Sequence, residues 1–124
     1  RCRRTGGRLV AAYVDIVGLK ALNDSQGHGA GDDLLRRVVA LIRDDLRSYD
    51  LIIRVGGDEF VCAMSNMTLL DARLRFDRVA AALSAAAGVG AIRTGLAELA
   101  GDETVAELIA RADRQLIDGP HASH

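Results

Sequence analysis

Two short apolar runs rich in branched side chains, Leu51-Ile52-Ile53-Arg54-Val55 and Phe60-Val61-Cys62-Ala63-Met64, stand on either side of Gly56-Gly57. Runs of that length divided by a turn signal read as a β-hairpin, here with a four-residue loop from Gly56 to Glu59. The other elements arrange themselves around this ribbon. Arg8 to Asp15 is an apolar run closed by a charge, short enough for a buried strand. Gly27-His28-Gly29-Ala30-Gly31 breaks the chain. From Asp32 to Arg47 the apolar residues Leu34, Leu35, Val38, Leu41, Ile42 and Leu46 follow helical spacing, with Arg36, Arg37, Arg43 and Asp44 on the wet side. Thr68-Leu69-Leu70-Asp71 resembles a capping box that opens a helix to about Ala87. Val89 to Leu96 reads as a strand weakened by Gly90 and Gly95. Thr104-Val105-Ala106-Glu107 is a second capping box, opening a helix with Leu108, Ile109, Ala112 and Leu116 on one face, stopped by Gly119-Pro120. This order predicts a sheet of about four strands covered by helices, an α+β layered domain.

A length of 124 residues fits one domain, residues 1–124. With 49% apolar but only 3% aromatic residues, the interior must be built from Leu, Val, Ile and Ala. A net charge of -1 and the scarcity of stacking aromatics argue against a nucleic-acid module. Cys2 and Cys62 make neither a disulfide framework nor a zinc spacing, and Cys62 reads as a small buried hydrophobe. No apolar stretch approaches the ~20 residues of a membrane span, and the Arg1-Cys2-Arg3-Arg4 start lacks a signal peptide's apolar segment. The chain begins at Arg1 rather than Met. It therefore reads as a cytoplasmic piece of something longer, with a membrane or sensor portion expected upstream.

The residues with chemistry to offer are Asp15 at a strand end and Asp58-Glu59 beside two glycines. Carboxylates from two elements beside a Gly-rich turn suit a Mg²⁺ that holds substrate phosphates, because Mg²⁺ prefers oxygen and usually takes one or two protein carboxylates. Glycine there accepts positive φ and lets an anion approach the backbone. The competing reading makes Asp58 and Glu59 solvated turn residues and Asp15 a cap of the next helix. Spacing alone leaves both open.

Asp15-Ile16-Val17-Gly18-Leu19-Lys20-Ala21-Leu22-Asn23-Asp24, followed by Gly27-His28 and Gly31-Asp32, resembles the DxDxFKxxND…GH…GD signature of the diguanylate cyclases. Gly56-Gly57-Asp58-Glu59-Phe60 matches the motif that names the GGDEF family; Thr94-Gly95-Leu96 is similar to its SxGxA strand, and Ala112-Asp113 to its ADxALY helix. The resemblance covers a core of about residues 9–117 and implies a palm-like βααββαβ sheet, akin to adenylate cyclases and polymerase palms. It also implies roles. Asp15 and Asp58, with the carbonyl of Ile16, would hold Mg²⁺ (or Mn²⁺). Asn23 and Asp32 would bond the guanine edge, with an N-cap duty also open to Asp32. Lys20 would reach the phosphates, and Gly56 and Gly57 would bring backbone N–H groups to them. Glu59 would help hold the metal or deprotonate the attacking 3′-hydroxyl, and His28 reads as a structural turn residue. The implied reaction condenses two GTP into cyclic di-GMP, each 3′-oxygen attacking the other's α-phosphorus, so a two-fold homodimer is required. Arg47-Ser48-Tyr49-Asp50, five residues before Gly56, matches the family's product-inhibition site. There Arg47 would grip phosphate or guanine and Asp50 would accept from a guanine, the alternative being a surface charge pair.

Departures from the family pattern keep a second function open. Val17 replaces the second Asp of DxD and Leu19 the Phe. Where the family places a Lys and an Arg after its last helix, this chain has Asp118-Gly119-Pro120-His121. The N-terminal DxLTGLxNR segment is reduced to Arg4-Thr5-Gly6-Gly7, and the connection before Val89 is short. An intact GGDEF turn favours an enzyme. The missing basic tail favours a degenerate domain that binds GTP or cyclic di-GMP without turnover.

Overall fold

Strand β1, Leu9–Val17, runs through the middle of the sheet, and both of its faces are covered. Val10, Ala12, Val14 and Ile16 point into one apolar cluster and Ala11 into another. Double burial explains why this stretch is apolar almost without interruption instead of alternating. The computed structural model describes residues 8–87 and 91–118.

After β1 come α1 (Leu19–Gln26), α2 (His28–Asp45), β2 (Leu51–Arg54), β3 (Glu59–Ser65), α3 (Leu69–Ala87), β4 (Ala91–Glu98), α4 (Val105–Arg114) and the two-residue β5 (Ile117–Asp118). The sheet order is β2-β3-β1-β4-β5, with every neighbouring pair antiparallel. The larger cluster joins β1 and β3 to Leu34, Val38 and Ile42 of α2 and to Phe76, Val79 and Leu83 of α3. Each such side chain, taken from water to full burial, is worth roughly 1.5–3 kcal/mol. On the other face Leu108 and Ala112 of α4 cover Ala11 and Ala97. The α+β layering expected from the sequence is therefore the observed one. Cys62 is fully buried, and burial pushes its thiol up to about 12.

Several boundaries differ from the sequence reading. The Gly27–Gly31 stretch breaks the chain only at Gly27, whose φ of 92° suits glycine; α2 begins at His28, not Asp32. Gly31 lies inside this helix, and the absence of a side chain there is what admits Asn23, whose Oδ1 an added Cβ would meet at 2.2 Å. The short helix α1, which has no fully buried residue, escaped the reading of apolar spacing, although the βααββαβ order implied by the resemblance contains it. The hairpin loop also ends earlier than expected: Glu59 already belongs to β3, and its carbonyl accepts from Val55 N–H at 2.9 Å. Both capping signals hold at their first half. Thr68 Oγ1 accepts from Asp71 N–H, while the Asp71 carboxylate accepts from Arg75. Thr104 and Glu107 complete the reciprocal box. Helix α4 ends at Arg114, ahead of Gly119-Pro120, because the chain turns at Gln115 into β5. Gly119-Pro120, Val89-Gly90, the Arg1–Gly7 start and the His121–His124 tail lie outside the described residues. Among the described residues no helix is long and apolar enough to cross a membrane.

Candidate functional site

Antiparallel register brings the acidic residues together. Asp15 stands directly opposite Glu59 in the β1–β3 pair, and Ile16 N–H donates to the carbonyl of Asp58 at 2.8 Å. That bond fastens the loop to the end of β1. Carboxylate oxygens of Asp15, Asp58 and Glu59 consequently lie within 4.8 Å of one another. The turn is braced from below, where Arg54 donates to the carbonyls of Gly56 (3.1 Å) and Gly57 (2.7 Å). Glu59 Oε1 accepts from the Tyr13 hydroxyl at 3.1 Å. Burial first, and then that bond to Glu59, raise the Tyr13 phenol to about 12, so it remains a donor at neutral pH.

Beside the acids opens a cleft of about 500 Å³ lined by Lys20, Asn23, His28, Asp32, Gly57 and Asp58, among others. Its back wall exists because Gly18, at φ 89°, turns β1 into α1 within one residue. Lys20 in the first turn of α1 is exposed and lies 3.9 Å from Asp24. Asn23 has a structural duty the sequence did not announce: its Oδ1 accepts from Gly31 N–H at 2.8 Å and ties α1 to α2. Its NH₂ group is the end left for donating to a ligand. Asp32 sits inside α2, one turn past the Gly27 N-cap, and so does not cap that helix; Asp15 caps none either, since Gly18 is the N-cap of α1. His28 opens α2 and lines the cleft.

Gly56 and Gly57 correct one physical argument and keep another. Neither is among the positive-φ glycines, so the turn does not use them for left-handed geometry. A Cβ on Gly57 would meet nothing within 4 Å, which leaves room at the cleft wall for an incoming anion. The Ile16 side chain is buried and Val17, in place of a second carboxylate, is 40% exposed.

Arg47 and Asp50 are not among the residues lining the cleft. Arg47 Nη2 donates to the carbonyl of Ser65, at the opposite end of β3 from Glu59. At ~3.3 Å per strand residue that is about 20 Å away. The Asp50 carboxylate is fully buried and accepts from Arg47 Nε, Nη2 and backbone N–H. Sharing with Asp50 holds the Arg47 guanidinium above its ordinary pKa.

Three residues at the site were not found by sequence reasoning: Tyr13, described above with Glu59, Arg54 and Arg93. Arg54 grips the turn as described. Arg93 stands opposite Asp15 in the β1–β4 pair, and its Nη2 donates to Asp15 Oδ2 at 2.5 Å. The available signal is an arginine between Ile92 and Leu96 in β4, Ala91–Glu98, whose other charged residue lies at its very end.

An all-oxygen set of three carboxylates suits a hard divalent cation such as Mg²⁺. A family profile described as diguanylate cyclase, GGDEF domain, matches residues 1–121. The chain is 40% identical over 85 residues to the diguanylate cyclase DgcP of Pseudomonas aeruginosa, covering 68% of this chain and 13% of that protein. It is 42% identical over 67 residues to the cyclic di-GMP phosphodiesterase NbdA of the same organism, covering 54% and 8%. The chain thus spans less than a fifth of the length of these relatives. Its fold is similar to the active GGEEF domain of a diguanylate cyclase from Vibrio cholerae, at TM-score 0.86 and 23% identity, over 92% of this chain and 77% of that one.

Proposed function

Since the chain belongs to the diguanylate cyclase GGDEF domain family, we propose that it condenses two GTP into cyclic di-GMP, one GTP held by each of two facing copies. The observation that carries this reading is the cluster of Asp15, Asp58 and Glu59 at the mouth of a cleft lined by Lys20, Asn23 and Asp32. Asp15 and Asp58, with the carbonyl of Ile16, would hold a Mg²⁺ or Mn²⁺. Bound there, the cation would neutralise charge on the α-phosphate and the departing pyrophosphate.

The chain's own groups account for the rest. Asp32 can accept from the N–H groups of a guanine edge and Asn23 can donate to its carbonyl, a pairing that selects guanine over adenine. Lys20 adds a mobile point charge for the phosphates. The backbone at Gly57 is open to them, with nothing within 4 Å of where a side chain would start, whereas Gly56 lies against Glu59 and its N–H would have to turn from the Glu59 carbonyl. Glu59, oriented by the Tyr13 hydroxyl, shares the cation or takes the proton of the 3′-hydroxyl. As that O–H bond breaks, the 3′-oxygen bonds the α-phosphorus of the opposite nucleotide, and the bond to pyrophosphate breaks. Repeating the step from the other side closes the ring.

The test is GTP turnover with Mg²⁺ in a chain fused to a dimerising coiled coil, read as cyclic di-GMP formed. Asp58→Ala is expected to lower the rate by about a hundredfold or more, since one of the cation's anchors is gone. Equal rates in both proteins would remove Asp58 from the chemistry.

A second reading is a domain that binds GTP or cyclic di-GMP and signals without turnover. The ion pair between Arg93 and Asp15 favours it, because a guanidinium already satisfies one proposed metal carboxylate. Bound nucleotide without product in the same assay would select this reading.

Arg47 and Asp50 enter as a separate product site. The sequence spacing supports it, and a ligand there would have to open the closed pair. Arg47→Ala, measured on folded protein, is expected to weaken cyclic di-GMP binding about tenfold or more. Unchanged binding by calorimetry would leave the pair a purely structural tie.

A further inference from the structure

We propose that Arg93 is a positioning residue, an internal counter-ion that a divalent cation must displace from Asp15 before the acidic cluster can take up metal. The inference rests on reading Asp15, Asp58 and Glu59 as a cation site, and it adds a competitor built into the fold. Three carboxylates whose oxygens lie within 4.8 Å repel one another. Something positive must offset that repulsion whenever no metal is bound. The β1–β4 register supplies it, since Arg93 faces Asp15 across the strand pair and donates to its Oδ2. The pair is placed for exchange. The Asp15 side chain is only 12% exposed, so its carboxylate stays fixed and depends on a partner. The Arg93 side chain is 43% exposed although its Nε is shielded, so the guanidinium has a path from Asp15 toward solvent. Glu59 has a second tie, to the Tyr13 hydroxyl, and Asp58 sits on the loop. Asp15 is therefore the carboxylate for which cation and guanidinium compete directly.

Competition has a consequence that simple packing would not have. Removing the positive charge should raise the affinity for a divalent cation, although it removes a contact from the protein. A charge-assisted bond of this type sets the expected gain at about tenfold.

The experiment is Mn²⁺ binding to the nucleotide-free chain, followed by the loss of the free-ion spin resonance signal. The original chain, Arg93→Gln, Arg93→Lys and the double variant Arg93→Gln with Asp58→Ala are compared, each checked for native circular dichroism. Expected are about tenfold tighter binding by Arg93→Gln, little change in Arg93→Lys, which keeps the charge, and loss of the gain in the double variant. If Arg93→Gln misfolds, Arg93→Lys and Arg93→Met provide the same comparison of charge kept and charge lost. Equal affinity with and without the charge, in chains that still need Asp58 to bind Mn²⁺, overturns the competition and leaves the cation site standing. No Mn²⁺ binding by any of the proteins overturns both.

Discussion

Gly95→Ala is expected to destabilise the folded chain by about 3 kcal/mol or more, lowering the midpoint of thermal unfolding by roughly 10 °C. Sequence patterning treats this glycine as a weak point in β4. The tertiary structure makes it the point where α4 touches the sheet. A Cβ on Gly95 would lie 1.9 Å from the carbonyl oxygen of Ala112 and 2.9 Å from the backbone of Gln115 and Leu116. All three neighbours are main chain, so no side chain can rotate to make room. Either α4 lifts from the sheet, uncovering Ala11, Ala97, Leu108 and Ala112, or β4 bends away from β1. Gly29→Ala is the control. It lies in α2, and a Cβ there meets nothing within 4 Å. Alanine should stabilise that helix, by up to about 1 kcal/mol. Thermal unfolding followed by circular dichroism compares the two; similar midpoints would mean that α4 does not rest on Gly95.

The second large effect lies at the far end of the sheet. Asp50→Ala should cost about 3–5 kcal/mol, the usual penalty for taking one partner from a buried ion pair. Its carboxylate is shielded completely and accepts three N–H groups of Arg47, at 2.8, 2.9 and 2.8 Å. Without it, the guanidinium keeps the Ser65 carbonyl and the face of Tyr49, 4.7 Å from the ring centroid. The connection from α2 into β2 would then lose what holds its bend. Asp50→Asn should lie between, because the amide oxygen still accepts. Urea unfolding provides the check, and an Asp50→Ala midpoint equal to that of the original chain would show the pair to be dispensable.

Asp15, Asp58, Glu59, Lys20, Asn23 and Asp32 were legible because each sits in a motif whose order survives along the chain, and the fold brings them to one cleft edge. What each side chain touches was not legible. Asn23 spends its oxygen on Gly31, and Gly56 and Gly57 keep ordinary backbone angles. Arg93 stands at the serine position of the SxGxA strand, where the motif gives no hint of a charge, and its partner lies 78 residues away.

By itself the sequence determined the longer elements and their layering. Apolar spacing in α2, the apolar run of β1 interrupted only by Asp15 and the Thr104–Glu107 cap are settled by neighbours a few residues apart, and such patterns can be read locally. Only the tertiary structure decided what closes against what: Gly95 against Ala112, Asp50 under Arg47, Arg93 on Asp15. For Gly95 and Arg93 the physical reason is register. A strand pairs with its neighbour by many backbone bonds at once, and a slip of one residue would turn every side chain to the other face. The contacts of the site are therefore set by the assembled sheet, even where each residue in it was already visible.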